Sequence, residues 1–385
     1  MRVTHIITRL VVGGAQENTV ATVLGLRQKP DVHVRLISGP TTGSEGSMEP
    51  SFATCPEILA IVPDLVRPVH PWKDLRAWIA LARVLRRDRP DIVHTHSGKA
   101  GILGRLAAKR AGIPVIIHHI HGPSFGHFQG RFANAIFLTA ERIAAKATTH
   151  FVCSANAMSR LYLAAGIGRI EMYTRVLSGF HIEPFLEARN DPALRTRLGL
   201  AADSFVIGKI GRLTPLKGHV DLFRALRAVL PELPQARVLL VGDGSLRNEL
   251  EAQATELGIR DKIVFVGLVL PSEVARFVGI MDCLVHLSQR EALSRALPQA
   301  LAAGRPVVAY DFDGADEVCI RGETGFLVRT GDVPSVTRHL LELARDPALG
   351  NRLGLRGQQL VKDKFPVEKM IEQLYQLYQR LLKSH

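Results

Sequence analysis

The chain has 385 residues, 46% hydrophobic and 22% charged, which suits two cores of ordinary size and excludes a disordered or fibrous class. No apolar run approaches the roughly 20 residues that span a bilayer, and the start, MRVTHIITRLVVGGAQE, lacks a signal peptide's continuous apolar stretch. The net charge of +13 is concentrated: residues 1–185 hold 22 Lys and Arg against 12 Asp and Glu.

In chain order, β-branched runs predict strands at 3–7, 32–37, 92–94, 115–118 and 150–153, with helical spacing over 75–87 and 99–111. Further strands are predicted at 206–210, 237–241, 263–266, 283–286 and 307–310. Helices at 221–230, 245–257, 271–278 and 298–303 fall between them. This alternation argues for parallel sheets covered by helices. The fold expected is α/β, with two Rossmann-like doubly wound domains facing each other across a cleft. The first domain spans 1–185 and the second 186–365, divided by VLSGFHIEPFLEARNDPALRTRLGL, rich in turn residues and charge. Residues 366–385 form a closing helix that packs back on the first domain.

The four cysteines are far apart and form no CxxC pair, which argues against a disulfide framework or a zinc site. A reducing cytoplasm is the natural setting. The densest basic run, 73–110, holds ten basic and three acidic residues. It is either a solvated helix face or a surface for an anionic membrane or acceptor. No nucleic-acid recognition motif accompanies it.

Ligands of open α/β sheets bind at the carboxyl ends of strands, so the loops there carry the candidates. VIGKIGRLTPLKGH places Arg212 and Lys217 on one strand-end loop before a helix, a seat for a diphosphate or else two solvated cations. In VLLVGDGSLRNELEA, Gly242 opens a GxG turn. Arg247 stands at the third glycine position, so the dinucleotide fingerprint is incomplete and a dehydrogenase is disfavoured. IVFVGL ends a strand whose backbone at Val266 and Gly267 could read a flat base. Gly13 and Gly14 of VVGGAQEN let backbone N–H groups approach an oxyanion closely.

Six histidines fall within 92–128, but no carboxylate or cysteine lies at a convincing ligand spacing, so no metal is expected. His121, followed by Gly122 just past a strand, reads as a cleft donor touching a ligand. The other histidines read as hydrogen-bonded core or surface groups.

In order, VVGGAQE, VHTHSGKAGILGRLAA, HHIHG, VIGKIGRLTPLKG, VLLVGDG and REALSRALPQALAAGRPVVAYDFDGADEV resemble glycosyltransferase family 4, over nearly the whole chain. The resemblance implies the GT-B fold, with the acceptor on the side of the first domain. It also implies a retaining, metal-independent transfer of a hexose-type sugar from a nucleotide-diphosphate donor, with UDP preferred over GDP, and no cofactor. Arg212 and Lys217 would hold the donor diphosphate, with Gly13 and Gly14 facing the same phosphates. His121 would lie near the donor sugar. Glu291, first of the family's E-x7-E pair, would bind sugar hydroxyls, with the amides of Ala292, Leu293 and Ser294 close to that sugar. The second glutamate, which contacts the ribose, is here Gln299, which still accepts and donates hydrogen bonds but lacks the charge.

Asp311 and Asp313 of DFD superficially match the metal motif of other glycosyltransferases. In this resemblance they occupy a glycine-rich loop where no metal sits. Two related alternatives are a sugar-nucleotide 2-epimerase and an inactive sugar-nucleotide binder. The first half looks most like bacterial members that build capsule, exopolysaccharide or lipopolysaccharide. Those work on the cytoplasmic face of the membrane, on glycan or lipid-linked acceptors.

Overall fold

The computed structural model describes every residue except Ser44, His127 and His385. The chain divides into two compact units, Met1–Phe180 with Val367–His385, and His181–Pro366. The first division falls after Phe180, inside the turn-rich stretch 176–200 of the sequence.

The first unit runs β1 (Arg2–Ile7), α1 (Gly14–Arg27), β2 (His33–Ser38), β3 (Leu59–Ile61), α2 (Pro71–Asp88), β4 (Ile92–His96), α3 (Gly98–Ala111), β5 (Val115–Ile120), α4 (Arg131–Ala145), β6 (His150–Cys153), α5 (Asn156–Ala164) and β7 (Tyr173–Arg175). Its seven strands are all parallel, in the order β3-β2-β1-β4-β5-β6-β7. The central strands are buried because both faces are covered, and they carry buried histidines among their apolar residues. On one face Ile6, Val93 and Ile116 pack with Leu81 and Leu85 of α2. On the other, Val3, Ile92 and Val115 pack with Met370, Leu374 and Tyr378 of the last helix of the chain, Val367–Lys383.

The second unit runs α6 (Glu183–Leu186), α7 (Pro192–Arg197), β8 (Phe205–Ile210), α8 (His219–Val229), β9 (Ala236–Val241), α9 (Arg247–Glu256), β10 (Ile263–Gly267), α10 (Val274–Gly279), β11 (Cys283–His286), α11 (Ala296–Ala302), β12 (Val307–Tyr310), β13 (Gly325–Val328), α12 (Val333–Arg345) and α13 (Pro347–Lys364); Val367–Lys383 is α14. Six parallel strands follow the order β10-β9-β8-β11-β12-β13. Asp332 and Asp346 cap α12 and α13 by accepting the Ser335 and Leu349 N–H at 3.0 Å each, with proline at the first turn of both helices.

Strands β3, β7 and β13 lie at sheet edges. The first two have three residues each, too short for apolar alternation to register. α1 starts at the glycine pair and so reads from sequence as a loop.

One buried ion pair ties α3 to α4. Arg105 Nη2 donates to Glu141 Oε2 at 2.6 Å with both side chains fully buried, and Ser124 Oγ donates to the other carboxylate oxygen at 2.9 Å. Removing one partner strands a charge in the core. Glu141→Ala should therefore lower the unfolding free energy by about 3–5 kcal/mol, measured by denaturant titration. An Arg105→Met, Glu141→Leu double variant should recover much of that loss.

Candidate active site

In each sheet the strand order reverses at one point, between β1 and β4 and between β8 and β11, and ligand crevices form at such points. In the second unit the β8–α8 loop, GRLTPLKG, folds against the loop after β11. Gly218 takes φ 69°, and a Cβ there would sit 2.1 Å from Leu287 O. Gln289 N–H donates to Leu216 O at 2.8 Å. This contact places Lys217 Nζ on Glu291 Oε1, an ion pair across the switch point between residues 74 apart in the chain. Ser288 Oγ lies 3.3 Å from the same oxygen and His286 Nε2 at 4.0 Å. Burial keeps His286 neutral, reinforced by the charges of Lys209 and Lys217. Lys209, buried in β8, has its pKa lowered to about 7 by desolvation and then by Lys217.

A small recess opens beside Glu291, lined by His286, Ser288, Ala292, Ser294 and Tyr310. Glu291 itself is in a loop, five residues ahead of α11, not at a helix start. The helix begins at Ala296, so Pro298 is its third residue and Gln299 its fourth, with Gln299 8% exposed. Leu293 and Ala292 are buried, while Ser294 is part-exposed.

The DFD segment leads into a structural contact with the Glu291 loop. Asp313 Oδ2 accepts the Glu291 N–H at 2.8 Å and Gly314 N–H donates to Ala292 O at 2.9 Å, so this loop clamps the Glu291 loop. Asp313 holds a left-handed φ of 51°, which a short polar side chain tolerates. Desolvation raises its pKa to about 6, with the Glu291 amide opposing. Asp313→Ala leaves that amide without its acceptor and should cost about 1–3 kcal/mol of stability, seen as a lowered Tm.

Arg212 is exposed on the same β8–α8 loop, and its backbone carbonyl accepts from His219 Nε2 at 3.2 Å. Gly242 and Gly267 follow β9 and end β10. They pair directly, Gly242 N–H donating to Gly267 O at 2.9 Å, beside Val266. A Cβ on Gly242, whose φ is 132°, would meet Gly211 O at 2.2 Å, so only glycine lets the chain after β9 lie this close to the chain after β8. Arg212, Lys217, Gly242, Val266, Gly267, Glu291, Ala292, Leu293, Ser294 and Gln299 thus all stand on the second unit, around the ends of β8 to β11.

Gly13, Gly14 and His121 stand on the first unit. Gly13 caps α1, 14 residues long, and Gly14 is its first residue, at the end of the loop that follows β1. His121 directly follows β5 and is part-buried. Of the other histidines read in 92–128, His94, His96, His118 and His119 are core groups on β4 and β5, while His127 lies outside the described residues. Ring nitrogens of His96, His119 and His121 lie within 4.8 Å of one another, as do those of His5, His94 and His96. Their rings stack: His96 and His119 are 20° and 19° from the plane of His121. His96 Nδ1 and His121 Nε2 are 2.9 Å apart and joined by a hydrogen bond, as are His5 Nδ1 and His96 Nε2, so both nitrogens of His96 are already engaged.

Asp313, Ser288, His286 and Lys209 were not among the sequence candidates. Only Asp313 carried a signal, in DFD, which the resemblance placed in a glycine-rich loop without giving it a role.

Two family models match, "Glycosyl transferase 4-like domain" over residues 13–174 and "Glycosyl transferases group 1" over 190–360. The chain is 28% identical over 321 residues to an Escherichia coli UDP-Gal:alpha-D-GlcNAc-diphosphoundecaprenol alpha-1,3-galactosyltransferase, covering 82% of each chain. It is 29% identical to a GDP-mannose-dependent alpha-mannosyltransferase of Mycobacterium tuberculosis, covering 72% of this chain and 71% of that one. Among solved structures, Anabaena HepE in complex with UDP-glucose superposes with a TM-score of 0.82 at 22% identity, covering 99% of this chain and all of that one. Sucrose-phosphate synthase of Thermosynechococcus elongatus gives 0.83 at 20% identity, with full coverage of both. Both likenesses are of fold.

Proposed function

Because the chain belongs to the group 1 glycosyl transferases, a GT-B glycosyltransferase family, we propose that it moves a hexose-type sugar from a nucleoside-diphosphate donor held on its second unit. The observation that carries this reading is the Lys217–Glu291 pair at the β8/β11 switch point. It sets a cation and a carboxylate side by side over the strand ends, the two partners a sugar diphosphate needs. Lys217 and Arg212 meet the diphosphate and offset the charge that develops as the glycosidic bond breaks. Preorganised charge of this kind is usually the largest catalytic contribution. Glu291, released from Lys217 by the incoming phosphate, takes the sugar hydroxyls. The amides of Ala292, Leu293 and Ser294 line the same side. The glycine-closed ends of β9 and β10, at Gly242, Val266 and Gly267, receive the base, and Gln299 meets the ribose. Neither cofactor nor metal enters this scheme, and the acceptor attacks on the face the nucleotide leaves, with retention.

The E. coli and Mycobacterium tuberculosis relatives are named for UDP and GDP donors respectively, and we favour UDP. The first of these names a lipid-diphosphate acceptor, which supports a lipid-linked or glycan acceptor in bacterial surface-polysaccharide synthesis, capsule or lipopolysaccharide. No helix among the described residues is long and apolar enough to cross a membrane. α2 exposes Trp72, Leu75 and Ile79 beside Lys73, Arg76 and Arg83, a face suited to peripheral contact with anionic lipid at the cytoplasmic surface.

The test is product analysis with UDP- and GDP-hexoses and a sugar-diphosphate-lipid acceptor. The reading expects a new glycoside with the donor's anomeric configuration. An isomerised donor with no glycoside would point to an epimerase and overturn it.

A further inference from the structure

One face of the first unit's sheet carries five imidazoles at neighbouring positions. β1 and β4 pair His5 with His94, and β4 and β5 pair His96 with His119. His121 follows two residues after His119, on the same side of the strand path. His5, His94, His96 and His119 are fully buried. Two bonds join three of the rings in a line. His5 Nδ1 lies 2.9 Å from His96 Nε2, and His96 Nδ1 lies 2.9 Å from His121 Nε2. His94 and His119 stand outside this line, bonded through one nitrogen each to Tyr378 OH and Ser154 Oγ.

Burial without a facing carboxylate keeps His5 and His96 neutral. Each neutral ring has one N–H, so the two bonds must run in the same direction along the line. If they ran from His121 toward His5, His5 would carry its proton on Nε2, a buried atom with no partner among the described residues. A buried N–H without an acceptor is the rarer and costlier arrangement. Run the other way, His5 Nδ1–H donates to His96 Nε2, His96 Nδ1–H donates to His121 Nε2, and only a bare lone pair is stranded at His5.

We infer that His96, itself oriented by His5, is a positioning residue that fixes His121 as the Nδ1–H tautomer, with Nε2 occupied as an acceptor. His121 Nε2, engaged as that acceptor, then does not act as a base. The consequence for transfer rests on the reading of His121 as a donor-facing group; the tautomer itself does not.

The experiment is 15N NMR of the histidine rings in the full-length protein labelled at histidine, without nucleotide, for the parent, His96→Phe and His96→Gln. The parent should show His121 protonated at Nδ1. His96→Phe removes the donor to Nε2, and the Nε2–H form of His121 should appear at the expense of Nδ1–H. His96→Gln can accept from His5 and donate to His121, so it should keep Nδ1–H and guard against a folding artefact. His121 protonated at Nε2 in the parent, or unmoved in His96→Phe, would overturn the inference. In transfer assays His96→Phe should lower kcat more than tenfold with donor KM within a factor of two, and His96→Gln should recover most of it. The expected tautomers with kcat untouched by His96→Phe would leave the relay standing and remove His121 from the donor reading.

Discussion

Lys217→Ala should lower kcat/KM for sugar transfer by about 10²–10³-fold while leaving Tm nearly unchanged. The catalytic part follows from the removal of one preorganised cation from the departing diphosphate, a contribution of the oxyanion-hole kind. The stability part follows from exposure. The Lys217 and Glu291 side chains are 19% and 26% accessible, so their pair is partly solvated and contributes little to folding. Glu291→Gln should lower transfer as well, because a carboxylate accepts the sugar hydroxyls' hydrogen bonds more strongly than an amide. Steady-state kinetics beside thermal unfolding separates the two roles. A variant that loses several degrees of Tm and keeps its turnover would show that the pair is a structural brace.

The second large effect is a steep loss of stability below neutral pH. Burial holds His94, His96, His118 and His119 well below the usual histidine range, His5 near 3 and His150 near 4. Each folded pKa is depressed, so the stabilisation is complete above the unfolded value of about 6.5 and is lost as pH falls, because the unfolded chain takes up protons that the fold refuses. Each histidine that stays neutral costs about 1.4 kcal/mol per pH unit in that window. Several acting together exhaust a typical folding free energy within two units. His219 and His286 are depressed in the same way, and unfolding free energies measured by denaturant should fall progressively from pH 7.5 to 5 with a slope of several protons. A profile that is flat across that range would mean the histidines are charged or solvated in the folded state.

What the sequence discloses depends on how local the cause is. The β-branched runs that become β1, β5, β8 and β9 are visible because burial on both faces leaves an apolar segment in the chain. Arg212 and Lys217 are visible because one short loop carries both. Glu291 is visible only as part of a long motif, and its partner is not, since Lys217 lies 74 residues away and reaches it through the β8–β11 adjacency. Asp313 was legible as part of a glycine-rich loop that only superficially matches a metal motif, but its role was not, since only the strand-end geometry turns its carboxylate onto the Glu291 amide. The six histidines of 92–128 were countable, but a line from His5 through His96 to His121 exists only once β1 and β4 are in register. The start of α11 at Ala296, two residues before Pro298, reflects proline's tolerance anywhere in a first turn.

The most direct test of the donor site is a calorimetric titration of the purified protein with UDP and with GDP, repeated on Arg212→Ala and Lys217→Ala. Binding of one nucleotide, weakened at least tenfold in each variant, is the predicted result, a loss of about 1.4 kcal/mol or more per cation. Parent and variants that bind equally well, or no binding of either nucleotide, would contradict the placement of the diphosphate on the β8–α8 loop.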